Sequence, residues 1–120
     1  MSPTRSADYL AGLLRELSNL PRETEWLEFK VNHADPQEIG EYISALANSS
    51  ALAGKAFAYL VWGVDDGSHE VVGSDVVPSE SKVGNEELES WLLQMLNPKI
   101  DFRFFEFEVD GKHVVLLEIG

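Results

Sequence analysis

Leu10, Leu13, Leu14 and Leu17 fall at i, i+3, i+4 and i+7, which makes one apolar stripe and predicts a first helix that Ser6 can cap. Asn-Leu-Pro at 19–21 predicts its end. In "EWLEFKV", residues 25–31, the pattern changes to period two: Leu27, Phe29 and Val31 share one face, and Trp26, Glu28 and Lys30 the other. "DPQE" at 35–38 is a helix start. Asp35 can accept from the free N–H groups of the first turn, Pro36 stands where a missing N–H costs nothing, and Glu38 is the capping-box partner. Ile39, Ile43, Leu46 and Ala47 form the buried stripe of this second helix, with Tyr42 flanking it, and "SSALAGKA" loosens the chain after it.

"FAYLVWGV", residues 57–64, shows no polar alternation and predicts a central strand covered on both faces. "DDGS" is turn chemistry, and "HEVVG" predicts a short strand returning from it. Residues 75–84 read as a surface loop. Asn85 is expected to cap a third helix with Glu86 and Glu87 in its first turn, Leu88, Trp91, Leu92 and Met95 on its stripe, and Asn97-Pro98 as its stop. Asp110-Gly111 between two apolar runs predicts a two-residue hairpin turn, with Phe107 opposite Val114, Phe105 opposite Leu116 and Arg103 opposite Glu118. The expected order is α-β-α-β-β-α-β-β: an α+β domain with a mixed sheet and about three helices. Residues 1–120 read as one domain, expected to be the N-terminal part of a longer protein.

The 120 residues are 44% hydrophobic and contain no cysteine, so a globular core is expected and thiolate metal sites are excluded. No run approaches the roughly 18 apolar residues of a membrane span, and no basic-then-apolar leader is present, which makes the cytoplasm the expected compartment and a membrane an unexpected partner. The net charge of −12 is the most informative bulk figure. Residues 1–22 sum to +1, whereas 23–48, 49–82 and 83–120 sum to −5, −3 and −5. Nucleic-acid binders draw most of their affinity from basic surface and counterion release. A DNA or RNA partner here would need positive surface from another domain or subunit, or metal ions to screen the carboxylates.

Two acidic constellations stand out. Glu23, Glu25 and Glu28 lie in "ETEWLEFK", where Glu23 and Glu28 converge only if the chain bends between them. The bland alternative is a solvated edge strand in which Glu28 pairs with Lys30. Asp65 and Asp66 follow the apolar strand, where α/β sheets place ligand-binding groups, although adjacent aspartates before glycine are also ordinary turn residues. Joined to Glu23 and Glu28, one of them would complete a three-carboxylate set of the hard oxygen type that suits Mg²⁺ or Mn²⁺. "AGKAF" is not a phosphate-binding loop, since no glycine stands five residues before Gly54 and Ala56 replaces the hydroxyl residue. His33, His69 and His113 lack metal-ligand spacing; His113 is expected to pair across the hairpin with Glu108. Trp26, Trp62 and Trp91 read as core.

Together "ETEWLEFK", "IGEYISALANS" and "YLVWGVDDGSHEVVG" resemble the Schlafen AlbA-like domain family over about residues 20–119. Its pattern is a glutamate, four residues and Glu-Phe-Lys, then a helix ending Ala-Asn-Ser or Ala-Asn-Thr, then an apolar strand ending Gly-Val-Asp-Asp before a short strand and glycine. The resemblance implies a nucleic-acid-binding module of a bacterial or archaeal transcriptional regulator or ATP-binding protein, with Lys30 as a nucleic-acid contact. It also implies an alternative, a Mg²⁺- or Mn²⁺-dependent endoribonuclease whose metal is held by Glu23, Glu28 and Asp66, with Asp65 in place of Asp66 as the variant. A third alternative is an acidic protein-interaction module, or one that forms a homodimer. The chain departs from the family in the connection before the apolar strand, where "SALAGKAFA" replaces a short Gly-Gly link, and in its acidic flanks.

Overall fold

The computed structural model describes residues 6–20, 25–32, 34–96 and 99–120. Helix α1 (Ala7–Ser18) opens on Ser6, whose hydroxyl accepts from the Tyr9 N–H at 3.1 Å. Strand β1 (Leu27–Lys30) alternates buried and half-buried residues as its period-two pattern predicts. Helix α2 (Pro36–Leu52) begins at Asp35, whose Oδ2 accepts from the Glu38 N–H at 3.2 Å. It runs on through Ser49–Leu52, beyond the expected loosening. The buried Ser50 is accommodated there by donating its hydroxyl to the Ala47 carbonyl at 3.0 Å. The Glu38 carboxylate does not complete the capping box; it turns to Lys30 instead.

Strand β2 (Ala58–Trp62) is buried at all five positions. Two short strands, β3 (Lys82–Val83) and β4 (Glu86–Glu87), pair with each other ahead of helix α3 (Leu88–Met95). Strands β5 (Phe102–Val109) and β6 (Lys112–Ile119) form the closing hairpin. The α+β class, the mixed sheet and the order of elements are those the sequence predicts. So is the hairpin register: Phe107 faces Val114, Phe105 faces Leu116 and Arg103 faces Glu118. Asp110 takes a φ of 53° and Gly111 one of 74°, the left-handed pair that a tight hairpin turn of this type needs.

The main sheet has the order β1-β2-β6-β5. β1 and β2 are parallel, joined by the α2 crossover, and β2 and β6 are antiparallel. Helix α1 covers one face, packing Leu10, Leu14 and Leu17 on Leu27, Phe29, Val61 and Leu116. Helices α2 and α3 cover the other, packing Ile39, Ile43 and Leu92 on Leu60, Trp62 and Leu117. β2 is therefore sandwiched on both faces, which is why its sequence does not alternate. Fully burying each such large side chain stabilises the fold by about 1.5–3 kcal/mol.

Several local expectations are corrected. "HEVVG" returns antiparallel, but through a single bridge, Val64 to Val71. His69, at a φ of 61°, breaks the regular strand there, with its ring 4.8 Å from that of Phe29. The stretch 75–84 is not all loop: it holds a 3₁₀ turn at Pro78–Glu80 and β3. Asn85 does not cap α3. It sits in the turn of the β3–β4 hairpin, and Glu87 takes the N-cap position without a side-chain hydrogen bond. Met95 is not core but 58% exposed. His113 does stand opposite Glu108, yet its Nε2 lies 2.8 Å from the Val76 carbonyl, an oxygen that can only accept. Of the tryptophans, Trp62 is fully buried, while Trp26 and Trp91 are half-buried against the core. His33 and Asn97-Pro98 lie outside the described residues.

Candidate functional site

Parallel pairing of β1 and β2 brings the C-terminal ends of both strands to the same end of the sheet. Lys30 is in register with Trp62, and the Lys30 carbonyl accepts from the Gly63 N–H at 2.7 Å. The residues that follow each strand therefore emerge side by side: Val31 and Asn32 from β1, Asp65 and Asp66 from β2. This is where open α/β sheets gather ligand-binding groups. Helix α2, returning from the end of β1, adds Tyr42. The result is a polar cleft of about 490 Å³ lined by Glu28, Lys30, Asn32, Tyr42, Asp65 and Asp66, together with Phe29 and Val31.

Glu28 and Lys30 reach this cleft because they occupy the face of β1 turned away from α1, while Leu27 and Phe29 anchor the strand in the α1 core. The Lys30 ammonium is held from two sides. It lies 3.5 Å from Glu38 Oε1 and 4.8 Å from the centroid of the Tyr42 ring. The expected Glu28–Lys30 surface pair is thus replaced by a Lys30–Glu38 pair. With side chains 19% and 48% exposed, that pair contributes about 0–1 kcal/mol, so its consequence is position rather than stability. Burial acts to lower the Lys30 pKa, but contact with Tyr42 and Glu38 outweighs it and holds the value above the usual 10.5. A raised pKa means that the stabilisation is present below the ordinary value and lost only as pH rises through the folded one. At neutral pH Lys30 therefore stays a fixed cation in the cleft.

The two aspartates have different occupations. Asp65 Oδ1 accepts from the Gly67 and Ser68 N–H groups, each at 2.9 Å, and from the Ser68 hydroxyl at 3.3 Å. These bonds close a turn of the Asx type. The donation from Ser68 and Gly67 keeps the Asp65 carboxyl below its ordinary 3.8. A lowered pKa means that the ionised carboxylate braces the turn above that value and releases it as pH falls through the folded one. Asp66, next along, is exposed on the same cleft.

Asn32 completes the wall. Its Oδ1 accepts from the Ser74 hydroxyl at 3.1 Å and the Asp75 N–H at 3.0 Å, which ties the loop after Gly73 to the end of β1. Neither Asn32 nor Tyr42 was singled out as a site residue from sequence. Tyr42 could have been found, since it stands four residues after Glu38 and so on the same helix face. Asn32 carries no comparable signal.

Of the residues predicted to form a site, Glu28, Lys30, Asp65 and Asp66 share the cleft. The chain does turn at Glu25 and Trp26, just ahead of β1, but Glu23 lies outside the described residues. Among the described residues, no three Asp, Glu or His side chains gather closely enough to hold a metal ion.

A family model described as "Schlafen, AlbA_2" matches residues 23–120. The chain belongs to the Schlafen AlbA-like family. No curated protein matches it. The family match takes in every residue that lines the cleft of this Schlafen AlbA-like domain, and it begins at Glu23. Among its described residues, no helix is long and apolar enough to cross a membrane.

Proposed function

We propose that this Schlafen AlbA-like domain is a nucleic-acid-binding module, of the kind carried by a transcriptional regulator or an ATP-binding protein, and that the strand is met at the cleft between the ends of β1 and β2. The observation that supports this best is the gathering there of Lys30, Asn32 and Tyr42 with three carboxylates. A cation, an amide and an aromatic ring are the groups that engage phosphate, base edge and base face. The carboxylates would repel a phosphate backbone unless a cation stood between them. The all-oxygen donors fit Mg²⁺ or Mn²⁺ in kind, and Mg²⁺ in particular takes one or two carboxylates and keeps its waters. Glu28 and Asp66, with Glu23, would hold the ion; Asp66 is assigned this part because Asp65 Oδ1 is already committed to its turn. When bound, such an ion supplies charge screening and Lewis acidity at phosphorus.

The test is fluorescence anisotropy with labelled duplex DNA, single-stranded DNA and RNA, with millimolar Mn²⁺ or with EDTA. Binding is expected with Mn²⁺ only, weakening as NaCl rises, and Asp66→Asn is expected to weaken it about tenfold. Lys30→Met is expected to reduce the salt slope by about 1. Retention that ignores both salt and cation, or none on any of the three probes, would sink the proposal. The second reading, an endoribonuclease, is favoured by Glu28 and Asp66 lining one cleft beside a fixed ammonium. It requires Mn²⁺-dependent cutting of labelled RNA that Glu28→Gln abolishes, together with a Mn²⁺-induced rise in Tm that the same variant loses.

A further inference from the structure

Another depression among the described residues lies on the outer side of α2 and α3 and shares no residue with the cleft. It is an open groove of about 520 Å³. Its α2 wall mixes small and polar residues: Gly40, Ser44 and Ala45 fall at helical spacing and leave the surface low between Gln37, Glu41 and Asn48. Trp91 and Met95, four residues apart on α3, make the facing wall. Trp91 is half-buried and Met95 58% exposed, in a molecule that otherwise seals most of its large apolar side chains. Methionine at such a place is an adaptable, polarisable contact of the kind found where helices are received.

The charges decide what the groove receives. Neither α2 nor α3 contains a lysine, arginine or histidine; their charged residues are Glu38, Glu41 and Glu89. Glu41 lines the groove itself. A second copy of this chain, laid against the groove through the same face, would set like charges against each other in a protein that already carries −12. An apolar occupant with a basic flank would instead be attracted. The nine residues from Gly40 to Asn48 extend about 12 Å along α2, close to the roughly 10–12 Å diameter of one helix. From these observations we infer that the α2–α3 groove is a docking site for a basic amphipathic helix of a partner protein. The partner's apolar face lies on Trp91, Met95 and the small α2 residues, and its lysines or arginines meet Glu41 and its neighbours. A smaller hollow lined by Glu38, Glu41, Tyr42 and Ala45 continues from the groove toward Tyr42. A docked helix would therefore add positive charge beside a cleft in which three carboxylates accompany Lys30. The docking itself does not depend on the nucleic-acid reading.

The probe is a fluorescein-labelled synthetic peptide with leucines at i, i+3, i+4 and i+7 and lysines elsewhere. Its control has the same composition with the leucines scattered. By anisotropy the patterned peptide is expected to bind at least about tenfold more tightly than the control. Ser44→Arg and Met95→Lys, both at exposed helix positions, are each expected to weaken it about tenfold, and Glu108→Lys on the far hairpin by less than about twofold. In ¹⁵N-correlated NMR spectra the patterned peptide should shift Gly40, Ser44 and the Trp91 indole N–H, which also checks that each variant is folded. Equal binding of the two peptides, an equal loss with Glu108→Lys, or shifts confined to other surfaces would overturn the inference. So would a dimer of the chain alone that Ser44→Arg dissociates.

Discussion

Gly63 joins the buried strand β2 to the acidic turn, and its backbone explains why no other residue stands there. Its φ is +107°, and a Cβ at this position would lie 3.1 Å from the His113 carbonyl oxygen. That carbonyl cannot easily retreat, since it accepts from the Ser74 N–H at 2.9 Å. Gly63→Ala is therefore expected to cost about 1–3 kcal/mol, seen as a lower midpoint in urea denaturation. A loss near zero would mean that β2 and β6 can separate locally without penalty. The division of labour between Asp65 and Asp66 is also a residue-scale fact. "DDGS" announces a turn, but the letters do not say which carboxylate accepts the Gly67 and Ser68 N–H groups and which remains on the cleft rim. Likewise the pairing of Lys30 with Glu38, eight residues away across the β1–α2 connection, is tertiary. Period-two alternation pointed only to Glu28.

Among the elements, those with strong local signals were legible in full. Asp35-Pro36 placed the start of α2, and Asp110-Gly111 set all eight pairs of the β5–β6 register. Helix α3 was misplaced at its start because Asn-Glu-Glu satisfies a capping pattern equally well as part of a tight β hairpin. Packing chose the hairpin: Val83 lies against the main core, and Leu88, the first helical residue, is buried at 1% exposure. Met95 follows from the same cause, since an eight-residue helix buries a narrower stripe than its apolar residues would fill. On α2, Gly40 is an interior helical glycine whose added Cβ would meet only Leu92 Cδ2, at 3.8 Å, an ordinary contact. Gly40→Ala is expected to stabilise the fold by about 0.5–1 kcal/mol by reducing the freedom of the unfolded chain. Thermal unfolding should show a raised Tm; a fall would mean that α3 packs more tightly on α2 than this contact allows.

For the whole molecule, charge is the governing quantity. The protein measures 34 × 32 × 29 Å and carries −12. At about 0.01 M salt the screening length is near 30 Å, so every carboxylate feels the others; at about 1 M it is near 3 Å. Self-repulsion of a folded chain is strongest in the first case. Tm is expected to rise as NaCl is added from low concentration, and a flat or falling Tm would show that the surface charges are already paired. The family was legible from three spaced motifs, and so was the acidic end of the sheet. What sequence could not supply was the reason the motifs belong together, namely that a parallel β1–β2 pair sends both of them out at one end.

The interior place of β2 has one further consequence. Its partner on one side, β6, lies more than fifty residues further along, with Ala58 opposite Ile119. A chain broken between Gly63 and Lys112 would keep β1 and α2 yet present Ala-Tyr-Leu-Val-Trp with one row of N–H and C=O groups bare. A naked apolar ribbon of that kind recruits strands from other molecules. Proteolytic clipping near the end of the domain would thus produce not a trimmed version of the protein but a seed for its precipitation.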